Sequence, residues 1–129
     1  MQAPETLRYS EEHEWVRVTD DTAVIGITDH AQDELGDIVF VELPAKDAVV
    51  TRGKSLGVVE SVKAVSDVYS PVSGTVIEAN DKLADTPEVV NSDPYGDGWM
   101  AKVSLADPAE IEQLMPAAQY VAFVAKEKS

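Results

Sequence analysis

Lys63 is the residue of this chain best placed to do chemistry. It lies within Leu56-Gly57-Val58-Val59-Glu60-Ser61-Val62-Lys63-Ala64-Val65-Ser66-Asp67-Val68-Tyr69-Ser70-Pro71. Both flanks of that run are strand-like, so the chain should reverse around Lys63-Ala64. The reversal lacks the Asn-Gly, Asp-Gly or Gly-X pair that normally makes a two-residue hairpin turn, so the tip serves something other than easy turning. Pairing Val62 with Val65 sets Val59 opposite Val68, Val58 opposite Tyr69 and Glu60 opposite Asp67. The last is a like-charge pair, mildly destabilising, and such conflicts are tolerated most often where a ligand or partner uses them. A lysine on an arbitrary hairpin is a solubilising charge, and the residues alone leave both readings open.

The other candidates carry less. Ser61 and Ser66 flank the tip without a general base in local sequence, and no nucleophile elbow of the Gly-x-Ser-x-Gly kind is expected. His13 and His30 are separated by sixteen residues and do not form an H-x₃-H pair. His30 reads as a packing or polar contact in the first turn of a helix. With no cysteine and no third histidine, no metal centre is expected.

The elements that position these residues are mostly short strands. Trp15–Thr19 and Thr22–Thr28 form a hairpin joined at Asp20-Asp21, with Gly26 as a bulge or a close backbone approach. Asp29 to Leu35 reads as a short helix, Asp29 capping it, Gln32 three residues on and Gly36 past its end. Asp37–Leu43 resumes a strand and Pro44 stops it. Asp107-Pro108-Ala109-Glu110 starts a helix, with Asp as cap, Pro at the first helical position and Glu at the third. Ile111, Leu114 and Met115 form its apolar face. Tyr120, Phe123 and Val124 mark a second short helix after Pro116, and Lys126, Lys128 and the end should fray. A weak echo relates Gly36–Val41 to Gly74–Ala79, each followed by a Val-Val pair (Val49-Val50 and Val89-Val90). Two such halves could close a flattened barrel.

Size and charge narrow the function further. The 129 residues fit one domain spanning 1–129, long enough to hide roughly two-thirds of the unfolded surface. Ten Lys and Arg against 24 Asp and Glu give a net charge of −14. That repels phosphate backbones and anionic lipid heads, so neither nucleic acid nor membrane is expected as a partner. At 44% hydrophobic residues the chain is not an acidic disordered tail. No disulfide or thiolate chemistry is available, and any sulfur redox chemistry must arrive on an attached group. No apolar run approaches the roughly 20 residues of a membrane span. The N-terminus, with only Arg8 basic before His13, lacks a secretory or transit signal. A cytoplasmic protein is expected, or a mitochondrial matrix protein already trimmed of a presequence.

Several motifs in order resemble one family. Glu60-Ser61-Val62-Lys63-Ala64, then Ser66-Asp67 and Ser70-Pro71-Val72-Ser73-Gly74, resemble the lipoylation hairpin of the glycine cleavage system H protein family. So do His13-Glu14-Trp15, Gly26–Gln32, Leu35–Pro44 and Asn91–Trp99, and the resemblance covers nearly the whole chain. It implies a mainly β fold, a barrel-sandwich hybrid similar to lipoyl and biotinyl domains, with short helices near 29–35 and at about 108–125. It further implies that Lys63 carries lipoate as an amide, which suits an exposed amine on a rigid mount, and acylation would make an acidic chain more acidic.

The resemblance implies a carrier rather than an enzyme. Members of that family take an aminomethyl group from a pyridoxal-phosphate glycine decarboxylase and deliver it to a tetrahydrofolate-dependent aminomethyltransferase. They then present the reduced arm to a dihydrolipoyl dehydrogenase, and a lipoyl-attaching enzyme is a further partner. The loaded arm carries an ammonium group and folds back against its own carrier. The resemblance implies Glu14 and Asp67 as its carboxylate contacts, with Glu12 and Glu34 as additions. Position 34 varies in the family, and some members carry histidine there. A monomer suits such a shuttle. One alternative is a relay passing lipoate or its octanoyl precursor to 2-oxoacid dehydrogenase subunits. Another is a biotin carrier, although acceptor lysines for biotin usually sit between methionines and Met1, Met100 and Met115 are elsewhere.

Overall fold

The computed structural model describes residues 2–128, and Ser129, which the fraying expectation also covered, lies outside them. Among the described residues, ten strands form two sheets. The first carries β1 (Arg8–Tyr9), β2 (Glu14–Thr19), β3 (Thr22–Ile27), β5 (Val49–Val50), β8 (Gly74–Ala79), β9 (Ala101–Leu105) and β10 (Met115–Pro116). Their spatial order is β10-β1-β2-β3-β9-β8-β5. The second is three-stranded, β4 (Ile38–Glu42), β6 (Ser55–Ser61) and β7 (Val65–Tyr69), in the order β4-β6-β7. Every pairing is antiparallel.

The two sheets bury their apolar faces against one another. Val16, Ile25, Val76 and Val103 from the first pack in one cluster with Ile38, Val41, Val59 and Val68 from the second. Each fully buried side chain of this size contributes roughly 1.5–3 kcal/mol relative to leaving it in water. A smaller cluster gathers Leu7, Tyr9, Trp15, Met115, Tyr120 and Val124 under the last helix.

The β2–β3 hairpin forms as the sequence indicates, with Thr19 opposite Thr22 and Asp20 in a left-handed conformation (φ 55°) that aspartate tolerates. Gly26 is a close approach and not a bulge. It pairs with Trp15, and a Cβ there would sit 2.7 Å from the indole ring. The buried indole donates from Nε1 to Pro94 O at 2.9 Å, which pins the 93–99 loop against β2.

Three local expectations need correction. Helix α1 (Asp29–Leu35) is capped by Thr28, whose Oγ1 accepts from Ala31 N at 3.2 Å, and Asp29 is its first residue. The Asp29–Gln32 pair survives as a side-chain bond, Gln32 Nε2 donating to Asp29 Oδ1 at 2.8 Å. The 108–125 region is not simply helical. Pro108–Gln113 is a 3₁₀ segment capped by Asp107, Met115–Pro116 is strand β10, and α3 runs Ala117–Lys128 without fraying at Lys126. Glu110 turns away from the cap to accept from Ser73 N (2.7 Å) and Ser73 Oγ (2.9 Å). The Gly36/Gly74 echo also fails at its second landmark, since Val49-Val50 is strand and Val89-Val90 opens the short helix α2 (Val89–Ser92).

Strands β1 and β10 decide where the last helix lies. Arg8 pairs with Val16 on one side and Pro116 on the other, so the chain enters α3 directly beside its own N-terminal segment. Tyr120 on α3 stacks on Tyr9 with centroids 4.6 Å apart and planes 9° apart. The β1–β2 loop, α1 and α3 converge there.

Candidate functional site

The lysine hairpin turns one step earlier than the flanking residues suggest. Glu60 pairs with Val65, Val59 with Ser66, Val58 with Asp67 and Gly57 with Val68, a slip of two residues from the expected register. Ser61 N donates to Ala64 O at 2.8 Å, so Val62-Lys63 forms the two-residue tip. The Glu60–Asp67 like-charge pair therefore does not exist. Neither tip residue has positive φ, so the turn is not the mirrored type that glycine or asparagine supplies. Ser61 takes their place. Its buried Oγ accepts from Ala64 N (3.1 Å) and Lys63 N (3.3 Å), clamping the turn from beneath.

That tip rests on the end of α1. Val62 N donates to Asp37 O at 3.1 Å. Gly36, at φ 80°, presents no side chain to the lysine, and a Cβ there would lie 3.5 Å from Lys63 Cε and 4.0 Å from Nζ. Asn91 on α2 fixes this junction from the other side. It donates to Gln32 Oε1 and Gly36 O at 2.9 Å each and accepts from Ile38 N at 2.9 Å. Val62 (70% exposed) and Val65 (68%) leave an apolar collar in water around an exposed lysine.

A cleft of about 620 Å³ runs along α1 from Leu35, the neighbour of the Gly36 that lies beside Lys63, and is lined by Glu12, His13, His30, Ala31, Glu34, Leu35, Ser66, Asp67, Tyr69 and Glu127. Three of the four sequence-named acids, Glu12, Glu34 and Asp67, share it. Glu14 does not line it. That side chain is buried, accepting from Ser10 Oγ at 2.5 Å and from Tyr69 N at 3.3 Å, and it borders the neighbouring groove that contains Ser10, Glu12 and Tyr69. Burial pushes its carboxyl up to about 7, against the pull of the Ser10 and Tyr69 hydrogen bonds. Asp67 accepts from Ser55 Oγ at 3.1 Å.

Opposite the lysine end, the two histidines meet. Their ring centroids lie 4.7 Å apart, although sixteen residues separate them in sequence. His13 adopts a left-handed backbone (φ 69°) in the turn that ends β1. Its Nδ1 lies 2.8 Å from the Tyr120 hydroxyl, which lies 2.8 Å from Thr28 Oγ1. Its Nε2 is 3.1 Å from Glu127 Oε1. Burial lowers the His13 pKa below the usual imidazole value, with Glu127 pulling the other way. His30 is buried on α1, its Nε2 3.9 Å from Glu34 Oε1. The sequence marked neither Glu127, which lies in the segment expected to fray, nor Tyr120 as a polar residue. Asn91 lies in a quoted motif, but nothing in local sequence assigns its role.

A Gly-x-Ser-x-Gly spacing does occur, at Gly53-Lys54-Ser55-Leu56-Gly57, against the expectation that the chain has none. It is not a nucleophile elbow. Ser55 opens strand β6 where an elbow needs a strand-to-helix turn, and its hydroxyl bonds Gly57 O and Asp67.

The family model described as "Glycine cleavage H-protein" matches residues 7–127. The chain is 58% identical over 126 residues to the glycine cleavage system H protein of Marinobacter nauticus, covering 97% of each. It is 61% identical over 112 residues to a probable glycine cleavage system H protein of Haloarcula marismortui, covering 87% of this chain and 88% of that one. The crystal structure of a glycine cleavage system H protein from Mycobacterium marinum superposes with a TM-score of 0.87 at 36% identity, covering 93% of this chain and 97% of that one.

Proposed function

The chain belongs to the glycine cleavage H-protein family, the lipoyl carriers of the glycine cleavage system, and from that premise we propose that Lys63 is the lipoyl attachment site within a single carrier domain spanning 1–129. The fold is the barrel-sandwich arrangement of lipoyl domains. The observation that carries the assignment is the placement of Lys63, an exposed amine at the apex of a clamped turn and beside Gly36, which follows the cleft-lining Leu35.

The site fits a lipoyl-lysine. Gly36 leaves room beside the lysine stem, Ala31 and Leu35 give the cleft an apolar wall, and Glu12, Glu34 and Asp67 give it a carboxylate one. When bound, the dithiolane supplies the sulfur that accepts the aminomethyl group left by glycine decarboxylation and releases it to the aminomethyltransferase. The chain's own residues hold and shield. Ser61 fixes the direction in which Lys63 leaves the surface. Asp67 and Glu12 supply negative charge to an ammonium group lying in the cleft. Glu14 holds the Tyr69 backbone in place as part of the cleft wall. A carrier of this kind leaves each step to its partners. Those partners are the decarboxylase, the aminomethyltransferase, the dihydrolipoyl dehydrogenase and the lipoyl-attaching enzyme. The net charge of −14 favours basic surfaces on them and salt-sensitive association.

Among the described residues no helix is long and apolar enough to cross a membrane. The test is the intact mass of the protein from its native cell, followed by peptide fragmentation. A lipoyl or octanoyl adduct on Lys63, lost in Lys63→Arg, is expected. An unmodified Lys63 in cells whose other lipoyl proteins are modified would overturn the assignment. Growth of a deletion strain on glycine as the one-carbon source, compared with its 2-oxoacid dehydrogenase activity, separates shuttle from relay.

A further inference from the structure

The end of the cleft away from Lys63 gathers groups to which the carrier reading assigns no role. One ring nitrogen from each of His13 and His30 and one carboxylate oxygen of Glu127 lie within 4.8 Å of one another. They come from three separate elements, the β1–β2 turn, α1 and α3. From this convergence we infer that His13, His30 and Glu127 form a binding site for a divalent transition cation of the zinc type, with its remaining coordination position open to the cleft.

Two imidazoles and one carboxylate are an established zinc donor set, and three protein ligands with one open position are the usual form of an accessible site. Around a tetrahedral ion with bonds near 2.0–2.1 Å, ligand atoms stand about 3.3 Å apart. His13 Nε2 and Glu127 Oε1 are already at 3.1 Å. No donor pair is more than 4.8 Å apart, so closing on an ion asks for a contraction of at most about 1.5 Å, and the Glu127 side chain, 41% exposed, is the least enclosed of the three.

The surroundings of His13 are those of a metal-held imidazole. Such a histidine uses its second ring nitrogen to bond a neighbour, which fixes the ring and its tautomer. Here Nδ1 meets the Tyr120 hydroxyl, and that hydroxyl meets Thr28 Oγ1. An ion would be met by the tautomer in which Nδ1–H donates to Tyr120 and Tyr120 donates to Thr28, which frees the Nε2 lone pair on the side of Glu127. Glu34, 3.9 Å from His30 Nε2, adds a second carboxylate at the rim. All four residues line the cleft, so the ion enters without unfolding. Imidazole donors select zinc, nickel or copper over magnesium and calcium, which prefer oxygen alone. That preference separates this site from general cation attraction to an acidic surface.

The test uses the full chain as Lys63→Arg, which cannot be lipoylated, so the outcome is independent of the carrier assignment. Zinc chloride is titrated by calorimetry while the imidazole signals are followed by NMR. The chain contains only two histidines, so both resonances are assignable. One equivalent of zinc is expected to shift both rings together while magnesium shifts neither. His30→Gln and Glu127→Gln should each weaken zinc binding about tenfold or more. Zinc that leaves either ring unmoved, or binds no more tightly than magnesium, overturns the site. Unchanged affinity in folded His30→Gln or Glu127→Gln, with circular dichroism confirming the fold, also overturns it.

Discussion

Replacing Glu14 by glutamine should change how stability depends on pH while leaving the fold in place. Glu14 is 2% exposed, and its carboxyl is raised from 4.5 to about 7, chiefly by burial. A raised carboxyl means that the folded state binds more protons than the unfolded state between these two values. Stability from this group is therefore fully present below about pH 4.5 and is lost as pH rises to about 7. A shift of this size, at 1.36 kcal/mol per pKa unit, corresponds to about 3 kcal/mol. Glutamine keeps an acceptor for Tyr69 N and a partner for Ser10 but cannot ionise. The stability of Glu14→Gln relative to the wild type should then climb by about 3 kcal/mol across the window and level off above it. Urea unfolding of both proteins at several pH values and fixed ionic strength measures this directly. Every other titrating group is common to the two chains, so the difference isolates Glu14. Curves that run parallel from about pH 5 to pH 8 would refute a buried, near-neutral Glu14.

Four further variants probe specific contacts. Tyr120→Phe removes the hydroxyl between His13 Nδ1 and Thr28 Oγ1; it should cost about 1–3 kcal/mol in urea unfolding and alter the His13 ring signals. Asn91→Ala strips three hydrogen bonds from the junction of α1 and β4; amide exchange at Gly36 and Ile38 should accelerate at least tenfold, while exchange in β2 and β3 stays slow. Ser61→Ala removes the clamp beneath the Lys63 turn; the rate of lipoyl attachment should fall several-fold at unchanged global stability, within about 1 kcal/mol. Asp67→Asn combined with Glu12→Gln, two carboxylates that line the cleft, should shorten the lifetime of the loaded carrier, read as faster ammonia release in the absence of partners. An unchanged release rate would count against carboxylate shielding.

The hairpin that displays Lys63 was legible because its signal is local. Residues adjacent in the chain carry the motif, and the flanking β-branched residues fold into the strands that display it. The β2–β3 hairpin, the helix after Thr28 and the Asp107 cap were readable for the same reason, since turn and cap chemistry depends on neighbours within a few positions. The register of the lysine hairpin was not readable. Turn residues normally announce it, and here Ser61 holds Val62-Lys63 with a side chain that also suits an ordinary strand position. Strands β1 and β10, two residues each, are too short to show alternation. They exist because each completes the hydrogen bonding of the other.

By itself the sequence determined that the chain is a β-rich acidic protein displaying one lysine on a hairpin, with no thiol chemistry of its own. Only the tertiary structure decided what lines the cleft along α1. Whether His13 meets His30 and Glu127 depends on β10 pairing with β1, on Tyr120 stacking against Tyr9 and on α3 following from both. It also decided that Glu14 stands behind the cleft wall while Glu12, Glu34 and Asp67 line it. Local propensity acts over a few residues and is written in neighbouring letters. The convergence of segments a hundred residues apart is set by which apolar faces can be buried together, and that is a property of the whole chain.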